Sequence, residues 1–247
     1  MIYLDNNATT QPAAAVFEAM QPFLQGVYGN PSSAYSLASE SKKVISDAQE
    51  DVAKLLGASE PNEIVFTSGG TESDNWAILG ALEAFPDKNH IITTRVEHEA
   101  VRKICQKLEH QNYRVTWLKV DEDGSIDLDE LRSALCDKTA VVSTMLANNE
   151  TGILFPVREI GEIVKGHSDA LFHVDGVNAV GKIPIGLNET EIDLFSLSAH
   201  KFHGPKGIGA LYIRDGISLP SMLIGGGQES GRRAGTEAVH QIAGLSA

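Results

Sequence analysis

The sequence is short of several things, and each shortage narrows what the protein can be. Only two cysteines occur in 247 residues, Cys105 and Cys136, and they form no CxxC pair. A disulfide framework is thereby excluded and a structural zinc site disfavoured. Both cysteines fall in stretches of helical patterning and read as structural thiols. No run of about 18 apolar residues is present, so no membrane-spanning helix is expected. The opening Met1-Ile2-Tyr3-Leu4-Asp5 lacks the basic and apolar regions of a secretory signal, and a cytoplasmic protein is the expectation. Basic residues are also scarce: 20 Lys and Arg stand against 33 Asp and Glu, a formal net charge of −13. That balance argues against a general nucleic-acid or membrane partner, because such proteins displace counterions with a basic face. Internal repeats, low-complexity tracts and linkers rich in Pro, Gly or Ser are missing too.

What is present is a large apolar fraction, 42% of residues, arranged in alternating patterns. Apolar runs of strand length at Glu63–Thr67, His90–Thr94, Val115–Lys119, Ala140–Met145, Leu171–Asp175, Leu194–Ser198 and Gly209–Ile213 are separated by stretches of helical period. This alternation predicts an α/β fold with a mainly parallel seven-stranded sheet flanked by helices. In Ser39–Leu56 the residues Val44, Ala48, Val52 and Leu55 fall at helical spacing, and Gly57 supplies the stop. Asp127 is positioned to cap a helix over Leu128–Leu135, and Pro156 suits the first turn of a helix running to Lys165. Open sheets of this kind bind ligands beyond the carboxyl ends of their strands, so the functional residues are expected there.

Four segments place polar residues just past candidate strands. Thr67-Ser68-Gly69-Gly70-Thr71-Glu72-Ser73-Asp74-Asn75 is a glycine-rich turn into a helix, and serves equally well as a phosphate cradle or an ordinary tight turn. Val96-Glu97-His98-Glu99 sets an imidazole at the sheet edge, where a lone histidine is more often structural. Asn148-Asn149-Glu150-Thr151-Gly152 reads equally as a turn. Asp175 closes the apolar run His173-Val174-Asp175, and a buried carboxylate there calls for a cationic partner. A fifth segment, Ser196-Leu197-Ser198-Ala199-His200-Lys201-Phe202-His203-Gly204-Pro205-Lys206-Gly207, sets Lys201 among hydroxyls and imidazoles ahead of a Gly/Pro turn. A Schiff-base lysine, an acid for a pyridinium nitrogen and donors for a phosphate are what a pyridoxal-phosphate site requires, and all three are available.

Six strings, Tyr3-Leu4-Asp5-Asn6-Asn7-Ala8-Thr9-Thr10, Gly29-Asn30-Pro31-Ser32-Ser33, Ser68 to Asn75, Asn148 to Gly152, Ser198-Ala199-His200-Lys201 and Gly225-Gly226-Gly227-Gln228-Glu229, occur in this order along the chain. In order and approximate spacing they resemble the cysteine desulfurase family, of the class V aminotransferase branch of fold-type I enzymes. The resemblance implies pyridoxal 5′-phosphate as cofactor, with Lys201 as its covalent anchor. It implies that Asp175 partners the ring nitrogen, His98 stacks on the ring and assists proton transfer, and Asn149 bonds the phenolic oxygen. It implies that Gly70, Thr71, Ser198 and His200 surround the phosphate, and that Thr236 reaches the phosphate of a neighbouring subunit, hence a homodimer. L-cysteine is the implied substrate, giving L-alanine and an enzyme-bound persulfide for iron–sulfur cluster assembly or tRNA thiolation through a sulfur-acceptor or scaffold protein. A selenocysteine lyase or another class V enzyme is the alternative within that class, and a non-catalytic cofactor-binding fragment the alternative outside it.

Departures from the family pattern qualify the resemblance. Asn178 stands where glutamine is usual, with a shorter amide to reach the phenolic oxygen, and Tyr35, Ala38 and Ser39 replace the usual histidine, glycine and arginine. Family members continue for over a hundred residues with a small domain, a persulfide-forming cysteine and a carboxylate-binding arginine. The expectation is therefore a truncated chain: residues 1–15 associated with the small domain, 16–247 the cofactor-binding large domain, and Glu237 to Ala247 a helix cut off in progress. Neither Cys105 nor Cys136 stands at the catalytic cysteine position.

Overall fold

Each of the seven apolar runs forms a strand in the computed structural model, which describes residues 2–247. These are β1 (Ile64–Thr67), β2 (His90–Thr94), β3 (Arg114–Leu118), β4 (Thr139–Met145), β5 (Leu171–Asp175), β6 (Leu194–Ser198) and β7 (Gly209–Ile213), in one sheet of order β1-β7-β6-β5-β4-β2-β3. The helices are α1 (Ala14–Gln25), α2 (Ser36–Leu56), α3 (Gly70–Ala84), α4 (Glu99–His110), α5 (Leu128–Ala134), α6 (Val157–His167) and α7 (Val239–Ser246). Met1, the first residue of the expected 1–15 segment, lies outside the described residues.

Alternate residues along the strands serve two separate cores. Val65, Ile91, Val141, Leu171, Leu194 and Leu211 meet Trp76, Ile78, Val101 and Leu108 of α3 and α4. Ile64, Phe66, Ile92, Val142, Phe172, Phe195 and Tyr212 face the other way, against Ala48, Val52 and Leu56 of α2, Ile160 and Val164 of α6, and Ile242 of α7. Cover on both faces is why these strands read as continuous apolar runs rather than alternating ones. Each buried aliphatic or aromatic side chain contributes about 1.5–3 kcal/mol relative to exposure. Only β3, at the edge of the sheet, is partly exposed.

Strand direction fixes where polar residues gather. β2, β3, β4, β5 and β6 are parallel, while β7 runs against both β6 and β1. That second reversal returns β1 to the direction of β6, so Thr67, Thr94, Met145, Asp175 and Ser198 all end at one edge. Close packing there requires glycine: a Cβ on Gly209 would stand 2.4 Å from the Leu197 carbonyl oxygen and 2.8 Å from Gly69 Cα.

Several local expectations hold and others need correction. Asp127 caps α5 through Oδ1, which accepts from the Asp129 and Glu130 amides at 2.9 and 3.0 Å. Gly57 ends α2 in the left-handed region at φ 63°. However, α2 begins at Ser36 rather than Ser39, and Leu55 is 44% exposed because the packing face runs through Ala38, Ser41, Ala48, Val52 and Leu56. Pro156 precedes α6 instead of opening it, and the helix continues to His167. Cys136 is not helical: Leu135 turns extended (φ −61°, ψ 137°), and Thr139 Oγ1 then takes the Cys136 amide at 3.1 Å.

Residues 2–13, the arm ahead of α1, form no helix or strand and are stitched to the turn after β6. The Thr10 amide and hydroxyl donate to the His200 carbonyl oxygen at 2.8 and 2.9 Å, and Thr10 Oγ1 accepts from the His203 amide at 2.7 Å. No helix among the described residues is long and apolar enough to cross a membrane.

Candidate cofactor site

At the common carboxyl edge lies a cavity of about 200 Å³ lined by Gly70, Thr71, Asp74, His98, Asp175, Asn178, Ser198, His200 and Lys201. It adjoins a second of about 390 Å³ that shares Gly70, Thr71, Ser198 and His200 and adds Ser68, Gly69 and Lys206. All the residues expected around the cofactor therefore converge except two. Asn149 is half-buried outside the cavity, and its carbonyl oxygen accepts from Asn7 Nδ2 at 3.2 Å. Thr236 is exposed and borders a different cavity, with Thr67, Ser68, Glu229 and Gln241.

Lys201 ends a short helical turn, Ala199–Lys201, directly after β6. Its Nζ donates to the Asn7 carbonyl oxygen. Burial lowers its basicity and the nearby Lys182 adds to that, against the opposing pull of Asp175 and Asp5. Asp175 is 6% exposed and held at one oxygen by the Val177 amide at 2.9 Å. Burial pushes its carboxyl above the ordinary range, although the Val177 amide, His98 and Lys201 pull the other way. Such an acid is stabilised by an additional cation on its face. His98 caps α4 by accepting the Ala100 amide at Nδ1 (3.2 Å), which leaves Nε2 to carry the hydrogen of the neutral ring.

The anion-binding end is built by α3, which starts at Gly70 without a side-chain cap and so leaves first-turn amides free. Gly69, at φ 144°, takes a conformation open to glycine, and a Cβ on Gly70 would stand 2.6 Å from Val177 Cγ2. Glu72, in the same first turn, is turned aside: its carboxylate accepts from Arg233 Nε at 2.8 Å and from the Ser68 amide at 2.8 Å. His200 is held below its ordinary pKa by burial, then by Lys201 and Lys206, and its Nδ1 meets Thr9 Oγ1 at 3.1 Å.

Beneath this layer lies a polar floor that sequence reading missed. Asp74 is 1% exposed, its Oδ1 has no hydrogen-bond partner among the described residues, and it stands 3.5 Å from His173 Nε2. Burial raises Asp74 well above the carboxylate range, with Asp175 adding repulsion, and lowers His173 to about 3, so this contact is not an ion pair. His173 is instead satisfied by Ser143 Oγ at 2.8 Å and Ser196 Oγ at 2.9 Å. Glu97 Oε1 accepts from Thr94 Oγ1 at 2.7 Å and the Met145 amide at 3.1 Å, and burial brings its carboxyl to about 8. The available signals were an acid on the apolar face of α3, at Asp74 before Ala77 and Ile78, and an acid beside His98.

These residues suit a flat, phosphorylated pyridine aldehyde. Uncapped amides would take its anion, a lysine of lowered basicity its aldehyde, and a buried acid with one engaged oxygen its ring cation. Among the described residues no group of three or more His, Cys, Asp or Glu could hold a metal ion.

The model of the Aminotransferase class-V family matches residues 2–247. A cysteine desulfurase of Nostoc sp. (strain PCC 7120 / SAG 25.82 / UTEX 2576) is 56% identical over 245 residues, covering 99% of this chain and 61% of the relative. Cysteine desulfurase IscS of Methanosarcina thermophila is 52% identical, with 99% and 60% covered. Among solved structures, a NifS-like protein superposes with TM-score 0.96 at 44% identity, covering 99% of this chain and 67% of that one. SspA in complex with cysteine gives 0.95 at 39% identity, with 100% and 71% covered. The chain thus spans about 61% of the length of the curated relatives it matches. With the family model matched from residue 2 to 247 and the lysine, acid and uncapped helix assembled at one sheet edge, the chain belongs to the aminotransferase class-V family.

Proposed function

We propose that this chain is the cofactor-binding part of a pyridoxal-5′-phosphate-dependent cysteine desulfurase. The observation that carries the reading is the buried Asp175 facing the same cavity as Lys201, beside the uncapped start of α3. Relatives named as cysteine desulfurases at 48–56% identity, and a structural neighbour described in complex with cysteine, support the substrate. When bound, the cofactor supplies an electrophilic aldehyde and an electron-withdrawing ring. Lys201 anchors it and moves protons at Nζ. Asp175 holds the hydrogen on the ring nitrogen, His98 covers the ring, and Asn178 with Asn149 addresses the phenolic oxygen. Gly70, Thr71, Ser198 and His200 hold the phosphate, and Thr236 serves a neighbouring subunit in a cytoplasmic homodimer.

The sulfur-accepting thiolate comes from outside these residues. Cys105 is buried in the core of α4, its thiol pushed to about 12. Cys136 lies just before β4, at the amino ends of the parallel strands and opposite the site. Residues 1–15, with Ile2 and Leu4 more than 80% exposed, associate with a small domain. Sulfur passes from L-cysteine to an enzyme-bound persulfide and on to an acceptor or scaffold protein serving iron–sulfur cluster assembly or tRNA thiolation.

The test is to add pyridoxal 5′-phosphate to the purified chain, reduce with borohydride and map the adduct. A single adduct on Lys201, with a visible absorption band lost in Lys201→Ala, is expected. No adduct, or an adduct spread over surface lysines, would overturn the cofactor assignment. Robust sulfide release from L-cysteine by this chain would overturn the placement of the thiolate.

A further inference from the structure

Two lysines are gathered on one exposed asparagine. Asn7 accepts from Lys201 through its backbone oxygen and from Lys182 through Oδ1 at 3.2 Å. Its own Nδ2 is spent on the Asn149 carbonyl oxygen, so the residue is fixed at three points. Lys182 lies in the turn that follows β5 and reaches the arm at Asn7. A solvated surface lysine has no need of this clasp.

We propose that Lys182 is a positioning residue for Lys201: held on the same asparagine, its charge disfavours a second charge beside it and so favours the amine form of Lys201, the form that condenses with an aldehyde. The proposal deepens the cofactor assignment above and rests on it for its biological meaning. In the condensation the nitrogen lone pair forms the bond to carbon, the carbonyl oxygen departs as water with the two nitrogen-bound hydrogens, and a C=N bond remains. An ammonium has no lone pair to begin this step, and a neighbouring cation is one way to suppress it.

The ionisable groups around Lys201 come from several elements: Asp175 on β5, Lys182 in the following turn, Asp5 on the arm, His98 at the cap of α4 and the adjacent His200. Burial is the largest influence lowering Lys201 and Lys182 is the next, while Asp175 and Asp5 oppose. Lys182 itself is lowered by burial alone. The repulsion is therefore expressed at Lys201, the more enclosed of the two.

The measurement is reductive methylation of the cofactor-free chain with formaldehyde and cyanoborohydride from about pH 6 to 10, reading Lys201 by peptide mass mapping. In Lys182→Met the Lys201 profile is expected to move alkaline, with a severalfold loss of reactivity near neutral pH. Lys182→Gln should behave alike, and Lys182→Arg should keep the wild-type profile. Superposed profiles for wild type and Lys182→Met would overturn the proposal. An equal shift in Lys182→Arg would overturn it too, because geometry rather than charge would then be responsible. Lys182 is exposed, so these variants keep the fold. The labelling uses no pyridoxal phosphate, so a chain that fails to take up the cofactor but shows the shift refutes the cofactor assignment and leaves this proposal standing.

Discussion

Replacing Glu97 with glutamine should remove a pH-dependent loss of stability. Glu97 is 5% exposed, and burial raises its carboxyl from 4.5 to about 8, with Asp175 adding repulsion and the bonds from Thr94 and Met145 offsetting only part of it. A carboxyl whose folded pKa is raised favours the folded state fully below pH 4.5, and this contribution is lost as pH rises through about 8. Each unit in that window is worth about 1.4 kcal/mol, giving an upper bound of about 5 kcal/mol for Glu97. Glutamine keeps the shape and an acceptor for Thr94 and Met145 but cannot ionise. Urea unfolding followed by fluorescence of the buried Trp76, run on both proteins at intervals from pH 5 to 9, gives the difference directly. The two should agree within about 1 kcal/mol at pH 5, diverge in favour of Glu97→Gln as pH rises, and stop diverging above about pH 8. Asp74 and Asp175 contribute in the same direction to both proteins, and the difference reports Glu97 together with its repulsion of these two acids. Parallel curves across the whole range would refute the assignment of a neutral, buried Glu97.

Two glycines should answer oppositely to alanine. A Cβ on Gly176 would stand 1.8 Å from Phe195 Cζ in the core, so Gly176→Ala should lose at least about 1–3 kcal/mol in thermal unfolding. Gly166, inside α6 with nothing within 4 Å of an added Cβ, should gain about 0.5–1 kcal/mol as Gly166→Ala. The cysteines should also separate. Burial raises the Cys136 thiol, but hydrogen bonds from Thr139, the Lys138 amide and Arg114 outweigh it and bring the thiol below its ordinary value. One thiol per chain should exchange rapidly with an aromatic disulfide near neutral pH, and Arg114→Gln should slow it severalfold. Rapid loss of both thiols would contradict the burial of Cys105.

The strands were legible because a sheet covered on both faces imposes an unbroken apolar run, and all seven lie within a residue of their expected bounds. Strand order was not. Nothing in Gly209–Ile213 announces that β7 inserts antiparallel between β1 and β6, since antiparallel insertion depends on the short connection after Lys201 and not on composition. Lys201, Asp175, His98 and the start of α3 were legible because they follow strands and match a family pattern. Asp74, Glu97 and His173 were hidden within those same strings, their role set by burial that one dimension does not display. Asn7 and Lys182 were beyond reach for another reason: their meaning comes from meeting each other across the fold. Cys136 was misread because helical composition continues past Ala134, whereas a hydroxyl three residues on turns the chain.

The clasp between Asn7 and Lys201 joins positions 194 apart in the chain. Contacts of such long sequence separation form late, since loop closure must precede any stabilisation they bring. A ribosome releases the arm first and the turn after β6 only near the end of these residues, so a nascent chain holds Asn7 long before there is an amine for it to receive. The Lys201 amine therefore finds its partner on the arm only after the strands between them have been made.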